Sequence, residues 1–183
     1  DLTDGGIGCA LSHMYIWRDF LARAEQTGDE RPCLIVEDDC QFVDDFCDEI
    51  FKKRIAECPS DWEMLYLGGT DMMGALPFLP AAPGVKRVYE GFRETTAYLI
   101  TVQGARSALE VCIPLIWQFD HHLTCSVMSK EGLPVRQASA GQPPHHTVKP
   151  MSYVLDPPLV SQDREQFTTD VQKVEHNAPI KLG

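Results

Sequence analysis

The 183-residue sequence lacks an apolar segment long enough to cross a membrane, because polar or charged residues interrupt every apolar run. A membrane-spanning helix needs roughly 18 or more consecutive apolar residues. The sequence also lacks an initiator methionine and a basic, then apolar, signal-like start. It opens at Asp1 in what resembles the middle of a domain, so we expect a fragment whose beginning is missing.

Basic residues are scarce: 16 Lys and Arg stand against 27 Asp and Glu, a formal net charge of -11. A nucleic-acid-binding surface needs clustered Lys and Arg that neutralise phosphates. An anionic membrane surface attracts the same residues. The composition therefore favours a soluble acidic protein with neither partner. An acidic protein that binds an anionic nucleotide would need a cation to bridge the two.

The sequence has seven cysteines but no CxxC pair. An odd number without such a pair matches neither a zinc-binding pattern nor a complete disulfide framework. Most of them lie within apolar segments, where cysteine behaves as a small buried hydrophobic residue. We predict free structural cysteines, with a disulfide among some of them as the alternative in a lumenal protein. The seven are Cys9, Cys33, Cys40, Cys47, Cys58, Cys112 and Cys125.

The hydrophobic pattern predicts one domain over residues 1–183. Apolar residues recur at helical spacing from Cys9 to Ala24, which predicts a helix entered through a flexible glycine-rich segment at residues 5–8. Residues 33–36 form a short, continuous apolar run, which is typical of a strand buried on both faces. This strand stops at three acidic residues.

Further helices and strands alternate along the chain. We predict a helix over residues 44–56, a strand over 64–67, a long loop over 70–84, a strand over 97–101 and a helix from Gln103 to Pro114. Asp120 opens another helix that ends at Gly132 and places Val127 and Met128 inward. Residues 143–183 are expected to form an irregular C-terminal segment of the same domain. This alternation predicts a three-layer α/β fold, with helices on both faces of a sheet.

Three consecutive carboxylates, Glu37, Asp38 and Asp39, follow the first strand. Ligands of open α/β sheets bind beyond the carboxyl ends of the strands, and carboxylates there hold hard divalent cations. Such a cation can bridge the diphosphate of a nucleotide sugar and stabilise it as a leaving group. Because side chains alternate along an extended segment, we expect Glu37 and Asp39 on one side and Asp38 on the other. A solvated acidic turn is the competing interpretation.

Several sequence blocks occur in an order found in a known family. Residues 6–13 have the sequence GIGCALSH, residues 34–39 LIVEDD, residues 61–68 DWEMLYLG and residues 97–101 AYLIT. Trp17, the segment 104–106, Phe119-Asp120, the segment 157–160 and the segment 169–171 complete the set. These blocks resemble glycosyltransferase family 25, which includes bacterial lipooligosaccharide galactosyltransferases and procollagen galactosyltransferases.

The resemblance implies a GT-A-type mixed sheet, Mn²⁺ or another divalent cation, and a UDP-sugar donor, often UDP-galactose. It also implies inversion at the anomeric carbon and a hydroxyl acceptor on a glycan, glycolipid or protein. The first strand-helix-strand unit of that fold is apparently lacking here, so the fragment is not expected to be active by itself. The implied compartment is the lumen of the endoplasmic reticulum or Golgi in a eukaryote and the cytoplasm in a bacterium.

Asp120 is the candidate catalytic base. An inverting transfer is a single displacement that needs one base within hydrogen-bond reach of the acceptor hydroxyl. The resemblance favours Asp120 for this role. A helix N-cap is the competing interpretation, because aspartate is common at that position.

The remaining candidates concern the donor and the metal. Asp39 is the preferred metal ligand, with Glu37 bound to the metal, to its water or to the ribose, and Asp38 bracing the loop on the donor side. Ser12 and His13 follow a glycine-rich turn into a helix, where backbone N–H groups favour anions, so we expect donor contacts there. Bonds to the local backbone are the alternative.

Two candidates lie late in the chain. His146 is a possible further metal ligand, because imidazole is an acceptable Mn²⁺ ligand; an incidental surface histidine is the alternative. Asp170 is a candidate donor contact, against a solvated tail.

Two functions from different classes follow. The first is an inverting, metal-dependent hexosyltransferase, most simply a galactosyltransferase. The second is a non-catalytic nucleotide-sugar-binding or adaptor domain, because one fold can host several functions. A metal-dependent phosphoryl or nucleotidyl transferase ranks last, because the sequence shows no glycine-rich phosphate loop with a lysine.

Overall fold

A mixed sheet forms the centre of the fold. The computed structural model describes residues 3–71, 80–88, 92–115, 118–124, 127–128, 134–135 and 150–166. The helices are α1 (Asp4–Thr27), α2 (Asp48–Ala56), α3 (Val102–Cys112) and α4 (Phe119–Thr124). The strands are β1 (Cys33–Val36), β2 (Cys40–Phe42), β3 (Met64–Tyr66), β4 (Thr70–Asp71), β5 (Pro80–Ala82), β6 (Val85–Arg87), β7 (Phe92–Arg93), β8 (Ala97–Ile100), β9 (Val127–Met128), β10 (Pro134–Val135), β11 (Ser152–Leu155) and β12 (Val160–Gln162).

The described central sheet has six strands in the order β1-β8-β3-β11-β6-β5. Strands β3 and β11 pair in parallel, whereas β8 is antiparallel to both β1 and β3. Strands β1, β3 and β11 therefore run in one direction and end at the same edge of the sheet. Three small two-stranded sheets, β9 with β10, β2 with β12, and β4 with β7, complete the described strands.

Alternation along the strands gives the sheet two buried faces. On β8, Tyr98 and Ile100 join the cluster that includes residues of α1, α3 and α4. Ala97 and Leu99 join the opposite cluster, against which α2 packs through Ile50 and other apolar side chains. Helices therefore cover both faces, and the predicted mixed α/β class is confirmed.

Helix α1 begins earlier than its apolar pattern predicts. The side chain of Thr3 caps it by accepting a hydrogen bond from the Gly6 N–H at 3.0 Å. The glycine-rich segment 5–8 is therefore helical, and the prediction of a flexible lead-in is wrong. The helix ends as predicted at Gly28, whose φ of 70° is a left-handed conformation that glycine adopts at little steric cost.

The burial of β1 and the start of α2, on either side of the acidic triplet, also differ from the predictions. Leu34 and Val36 are 42% and 44% exposed, whereas Ile35 is 4% exposed. Strand β1 lies at the edge of the described sheet, and no described residue covers the outer face of these two side chains, so the prediction of two buried faces is wrong for β1. Helix α2 begins at Asp48, because residues 44–45 form a turn rather than a first helical turn.

The C-terminal half departs most from expectation. Strand β11 pairs with both β3 and β6 in the central sheet, and β12 pairs with β2, so the prediction of an irregular segment over residues 143–183 is wrong for residues 152–155 and 160–162. The short run Ser-Tyr-Val-Leu is fully buried, but prolines on either side obscure its strand signal. Helix α4 ends at Thr124, and Val127–Met128 pairs with Pro134–Val135 instead of continuing the helix. Residues 72–79 of the expected loop lie outside the described residues.

Among the described residues, no helix combines the length and the apolar character that a membrane-spanning helix needs.

Replacing either of two helix glycines by alanine should change the stability of the fold, with opposite signs at the two positions. A Cβ on Gly104 would overlap the backbone oxygen of Glu63, whereas a Cβ on Gly8 meets no atom within 4 Å. We expect Gly104→Ala to lower the free energy of unfolding by about 1–3 kcal/mol, as overpacking does. Gly8→Ala should raise it by roughly 0.5–1 kcal/mol, because alanine favours helix. Urea denaturation followed by circular dichroism measures both; changes of the same sign would contradict this packing.

Candidate functional site

The acidic triplet forms a turn at the sheet edge where β1 ends. The Glu37 N–H donates to the Thr96 carbonyl at 2.8 Å, which extends the ladder between β1 and β8 by one bond. The Cys40 N–H then donates back to the Glu37 carbonyl at 3.3 Å and reverses the chain into β2. The triplet is therefore a turn and not an extended segment, so the premise of the predicted alternation is wrong, although the burial of the three side chains follows the predicted division. Asp38 is exposed, whereas Glu37 and Asp39 are partly buried.

Glu37 is held by two hydrogen bonds to one of its oxygens. The Thr95 hydroxyl donates to Oε1 at 2.5 Å, and His13 Nε2 lies 3.1 Å from the same atom. Burial acts to raise the pKa of Glu37, but the bonds from His13 and Thr95 outweigh it and hold the pKa below its ordinary value. Glu37 is therefore ionised at neutral pH, and within the described part of the chain Oε2 receives no hydrogen bond.

Asp39 is anchored on one side and unsatisfied on the other. The Gln162 amide donates to Oδ2 at 2.5 Å, and the Asp163 N–H donates to the Asp39 carbonyl at 2.8 Å. Oδ1 is buried and has no hydrogen-bond partner among the described residues. Buried carboxylate oxygens rarely remain unpaired, so this atom points to a cation or another donor that completes the site.

His13 lies well inside α1, and the reason for expecting Ser12 and His13 at a helix start is wrong because α1 begins at Asp4. The Ser12 side chain is exposed, and its hydroxyl donates to the Gly8 carbonyl at 2.9 Å, the local bond that was the alternative. His13 is 4% exposed and stacks on the Tyr98 ring at 5.6 Å. It contacts the candidate site through Glu37 rather than through a helix terminus.

Asp120 is the second residue of α4. Arg93 Nη1 lies 3.2 Å from its Oδ1, and the Glu94 N–H donates to its Oδ2 at 3.4 Å. These contacts join α4 to the residues around β7. Burial raises the pKa of Asp120 against the opposing Arg93 charge and Glu94 bond, and the negative charge of Glu37 adds to the rise.

The pKa of the Cys9 thiol is affected by the negative charges of three carboxylates. Burial raises the pKa of its thiol to about 12, and the charges of Glu37, Asp120 and Asp39 add to this rise. Ligand atoms of Cys9, His13 and Glu37 all lie within 4.8 Å of one another. A protonated thiol is a poor ligand for a hard cation, whereas carboxylate oxygens suit Mn²⁺ or Mg²⁺. By donor chemistry, the carboxylate oxygens of Glu37 and Asp39 therefore suit such a cation better than the cluster that contains the Cys9 sulfur does.

The described cysteines are free, and the candidate site residues near the C-terminus lie outside the described residues. Cys9, Cys33, Cys40, Cys47, Cys58 and Cys112 are free thiols, as predicted, although all but Cys112 are only partly buried. His146 and Asp170 lie outside the described residues, as does Cys125.

Sequence inspection missed the residues that hold the carboxylates. Thr95, Arg93 and Gln162 lie in segments without a hydrophobic pattern, so no periodicity marked them. Glu94 carries a different signal: its φ of 77° is a conformation that non-glycine residues rarely adopt. Arg164 donates a hydrogen bond to the Glu94 carboxylate at 2.7 Å, and the Glu94 backbone N–H donates to the Asp120 carboxylate. Such backbone strain clusters at functional sites but is invisible in the sequence.

Comparisons with known proteins support the resemblance. Residues 1–73 match the sequence model of Glycosyltransferase family 25 (LPS biosynthesis protein). Human "Procollagen galactosyltransferase 2" is 34% identical over 110 residues, which cover 57% of this chain and 16% of that protein. The "Glycosyltransferase 25 family member" of Aedes aegypti is 30% identical over 115 residues, covering 60% and 17%.

One relative bears on activity. The rat "Probable inactive glycosyltransferase 25 family member 3" is 32% identical over 117 residues, which cover 59% of this chain and 18% of that protein. The matched region is thus less than a fifth of each of these relatives. The resemblance to family 25 inferred from the sequence blocks is confirmed.

Asp120 should limit the stability of the folded protein at neutral pH. Its raised folded pKa means that the folded state binds this proton more tightly than the unfolded state, so stability is lost as the pH rises through that pKa. We expect Asp120→Asn to be more stable than wild type at about pH 7 and nearly equal at about pH 3, where Asp120 is neutral. Urea denaturation at both pH values measures this.

The matched control is Asp38→Asn, which removes an exposed carboxylate from the acidic turn. Surface changes of this kind stay within about 0.5 kcal/mol. An Asp120→Asn protein that is no more stable than wild type at neutral pH would show that the partly buried, ionised Asp120 carboxylate does not destabilise the folded state.

Proposed function

We propose that this chain is part of a family 25 glycosyltransferase that uses a divalent cation to transfer a hexose from a UDP-sugar to a hydroxyl acceptor with inversion. The observation that carries the proposal is the buried Oδ1 of Asp39, which has no hydrogen-bond partner among the described residues and lies in the same turn as the ionised Glu37. The match of residues 1–73 to the family supports it, because Glu37 and Asp39 lie inside the matched region. We also propose the GT-A-type arrangement for the complete domain.

The residues of the acidic turn fit a hard cation such as Mn²⁺. Asp39 would bind through Oδ1, which is buried without a partner among the described residues, and Glu37 through Oε2. When bound, the cation supplies Lewis-acid stabilisation of the departing diphosphate. The chain's own contribution is to orient both carboxylates in the turn at the end of β1, Glu37 through His13 and Thr95 and Asp39 through Gln162. His146 and Asp170 remain candidates for a further metal ligand and a donor contact.

Asp120 is proposed as the base. The acceptor oxygen forms a bond to the anomeric carbon, its proton passes to the Asp120 carboxylate, and the bond from that carbon to the UDP oxygen breaks. A base is most effective when its pKa lies near the working pH, and the raised pKa of Asp120 moves it in that direction. Arg93 and the Glu94 N–H orient the carboxylate while leaving it outside the core.

The sugar and the acceptor are proposed from the names of the relatives. Galactose is the proposed sugar, because human, mouse and frog relatives are named procollagen galactosyltransferases. The acceptor hydroxyl is accordingly proposed to lie on a collagen-like protein, with glycans and glycolipids as the other classes to test.

A non-catalytic domain that binds nucleotide sugars is the second candidate. It is favoured by the rat relative, which is named as probably inactive and matches to a similar extent. Loss of activity leaves a fold intact, because function depends on a few side chains of the site. The presence of all three candidate carboxylates, Glu37, Asp39 and Asp120, supports the transferase instead.

Mn²⁺ together with UDP should stabilise the full-length protein. At a ligand concentration of about 100 times the dissociation constant, binding stabilises the folded state by about 2.7 kcal/mol, which corresponds to a rise of several degrees in Tm. We expect the Asp39→Ala variant to lose this rise because its metal-binding oxygen is gone. Differential scanning fluorimetry with Mn²⁺, UDP, both and neither measures the effect.

Asp45→Ala is the matched control, because Asp45 is an exposed aspartate in the turn before α2. It should keep the full shift. A shift that persists unchanged in Asp39→Ala would count against the proposed metal site.

Asp120→Asn should separate chemistry from binding. An amide cannot accept the acceptor's proton, so we expect kcat to fall by roughly 10²–10⁴-fold, the usual contribution of a general base. The rise in Tm with Mn²⁺ and UDP should remain. The measurement is UDP release from UDP-galactose with a panel of hydroxylysine-containing peptides and sugars. Wild-type protein that binds UDP but turns over no acceptor would favour the non-catalytic alternative.

A further inference from the structure

Three buried side chains connect the core to Glu37. The Trp17 Nε1–H donates to the Tyr98 hydroxyl at 3.0 Å, and this hydroxyl lies 2.6 Å from His13 Nδ1. The other ring nitrogen of His13 lies 3.1 Å from Glu37 Oε1. Trp17 and Tyr98 are fully buried and His13 nearly so, so this series of hydrogen bonds is shielded from water.

The chemistry of the indole fixes the direction of the series. The Trp17 indole nitrogen can only donate, so the Tyr98 oxygen must accept its hydrogen bond. The Tyr98 hydroxyl hydrogen then needs its own acceptor, and His13 Nδ1 is the hydrogen-bonding atom that the structure places next to it. If Nδ1 accepts, the neutral His13 ring carries its hydrogen on Nε2, where it donates to Glu37 Oε1.

The opposite direction leaves atoms unsatisfied. A hydrogen on His13 Nδ1 would donate to Tyr98, whose own hydroxyl hydrogen would then have no acceptor among the described residues. In the neutral ring, the bare Nε2 would also face the Glu37 carboxylate as a second acceptor. Buried polar groups without partners cost about 1–3 kcal/mol each, so the first arrangement is favoured.

We propose that Tyr98 and Trp17 are positioning residues that act through His13: they fix its Nε2–H tautomer and thereby hold the Glu37 carboxylate in one orientation. This inference rests on the proposed function for the role of Glu37 as a cation and donor ligand. With Oε1 occupied by His13 and Thr95, the carboxylate presents Oε2 to the ligand.

Aromatic ring contacts link His13 and Trp17 to Phe119, the residue next to the candidate base Asp120. His13 stacks on Phe119 at a centroid distance of 4.7 Å, and Phe119 is the residue before Asp120. Trp17 also packs against Phe119, at 5.4 Å. The orientation of His13 is therefore fixed by hydrogen bonds at both nitrogens and by a ring from α4. Partners of this kind, one step removed from a metal ligand, typically change affinity by about 10–100-fold when removed.

The first test measures the His13 tautomer directly in the full-length protein by ¹⁵N NMR of its imidazole nitrogens. The His13 signals are identified by their loss in His13→Asn. We expect a protonated Nε2 and an unprotonated Nδ1 in the wild-type protein at neutral pH. A protonated Nδ1, alone or together with a protonated Nε2, would overturn the proposed direction. This readout needs neither a metal nor a substrate.

The second test compares Tyr98→Phe with Tyr66→Phe. Both remove one buried hydroxyl, but the Tyr66 hydroxyl has no hydrogen-bond partner among the described residues and its ring lies 6.1 Å from that of Tyr98. We expect Tyr98→Phe to mix the His13 tautomers and to weaken Mn²⁺–UDP binding by up to about 10-fold by isothermal titration calorimetry, because Tyr98 acts on Glu37 only through His13. Tyr66→Phe should change neither.

The outcomes separate the two proposals. Wild-type affinity and a single Nε2–H tautomer in Tyr98→Phe would overturn the positioning role. A wild-type protein that shows the expected tautomer but binds no Mn²⁺–UDP would overturn the proposed function and the ligand role of Glu37, while supporting the hydrogen-bond order. If Tyr98→Phe does not fold, the wild-type tautomer still decides the direction.

Discussion

A carboxylate that is partly buried stays ionised only if hydrogen bonds replace the water it has lost, and Glu37 meets this condition at the end of β1. His13 from α1 and Thr95 from the segment before β8 both bind its Oε1. Three parts of the chain, distant in sequence, must be in place for this single atom to be satisfied. The other oxygen, Oε2, accepts no hydrogen bond from the described residues, which leaves it available to a ligand such as the proposed cation.

The same arrangement has a cost in stability. Glu37, Asp39 and Asp120 lie close enough for their charges to act on the Cys9 thiol, and Glu37 raises the pKa of Asp120. Arg93 offsets part of this repulsion, and Asp39 retains a buried oxygen without a partner among the described residues. Sites that bind cations commonly carry such unfavourable charge, because the ligand removes it on binding. The proposed transferase function explains why this fold tolerates the repulsion.

Much of the fold was predictable because its strongest patterns are local. The apolar runs at β1, β3 and β8 gave the correct strands, and alternation with helices gave the mixed α/β class. The errors occurred where a tertiary contact overrides a local pattern. The segment before Ala10 is helical because Thr3 caps it, and β11 is a strand because the two neighbouring strands bury it. The acidic turn closes through a backbone bond that side-chain alternation does not anticipate.

For the site, the sequence by itself determined which residues are the candidates for the chemistry. Three carboxylates after an apolar strand, an aspartate near a later helix start and blocks shared with family 25 are all visible without coordinates. Only the tertiary structure decided how they are held: Glu37 by His13 and Thr95, and Asp120 by Arg93. The physical reason is that identity and spacing are properties of the chain, whereas burial, hydrogen-bond direction and charge repulsion arise only when distant segments meet.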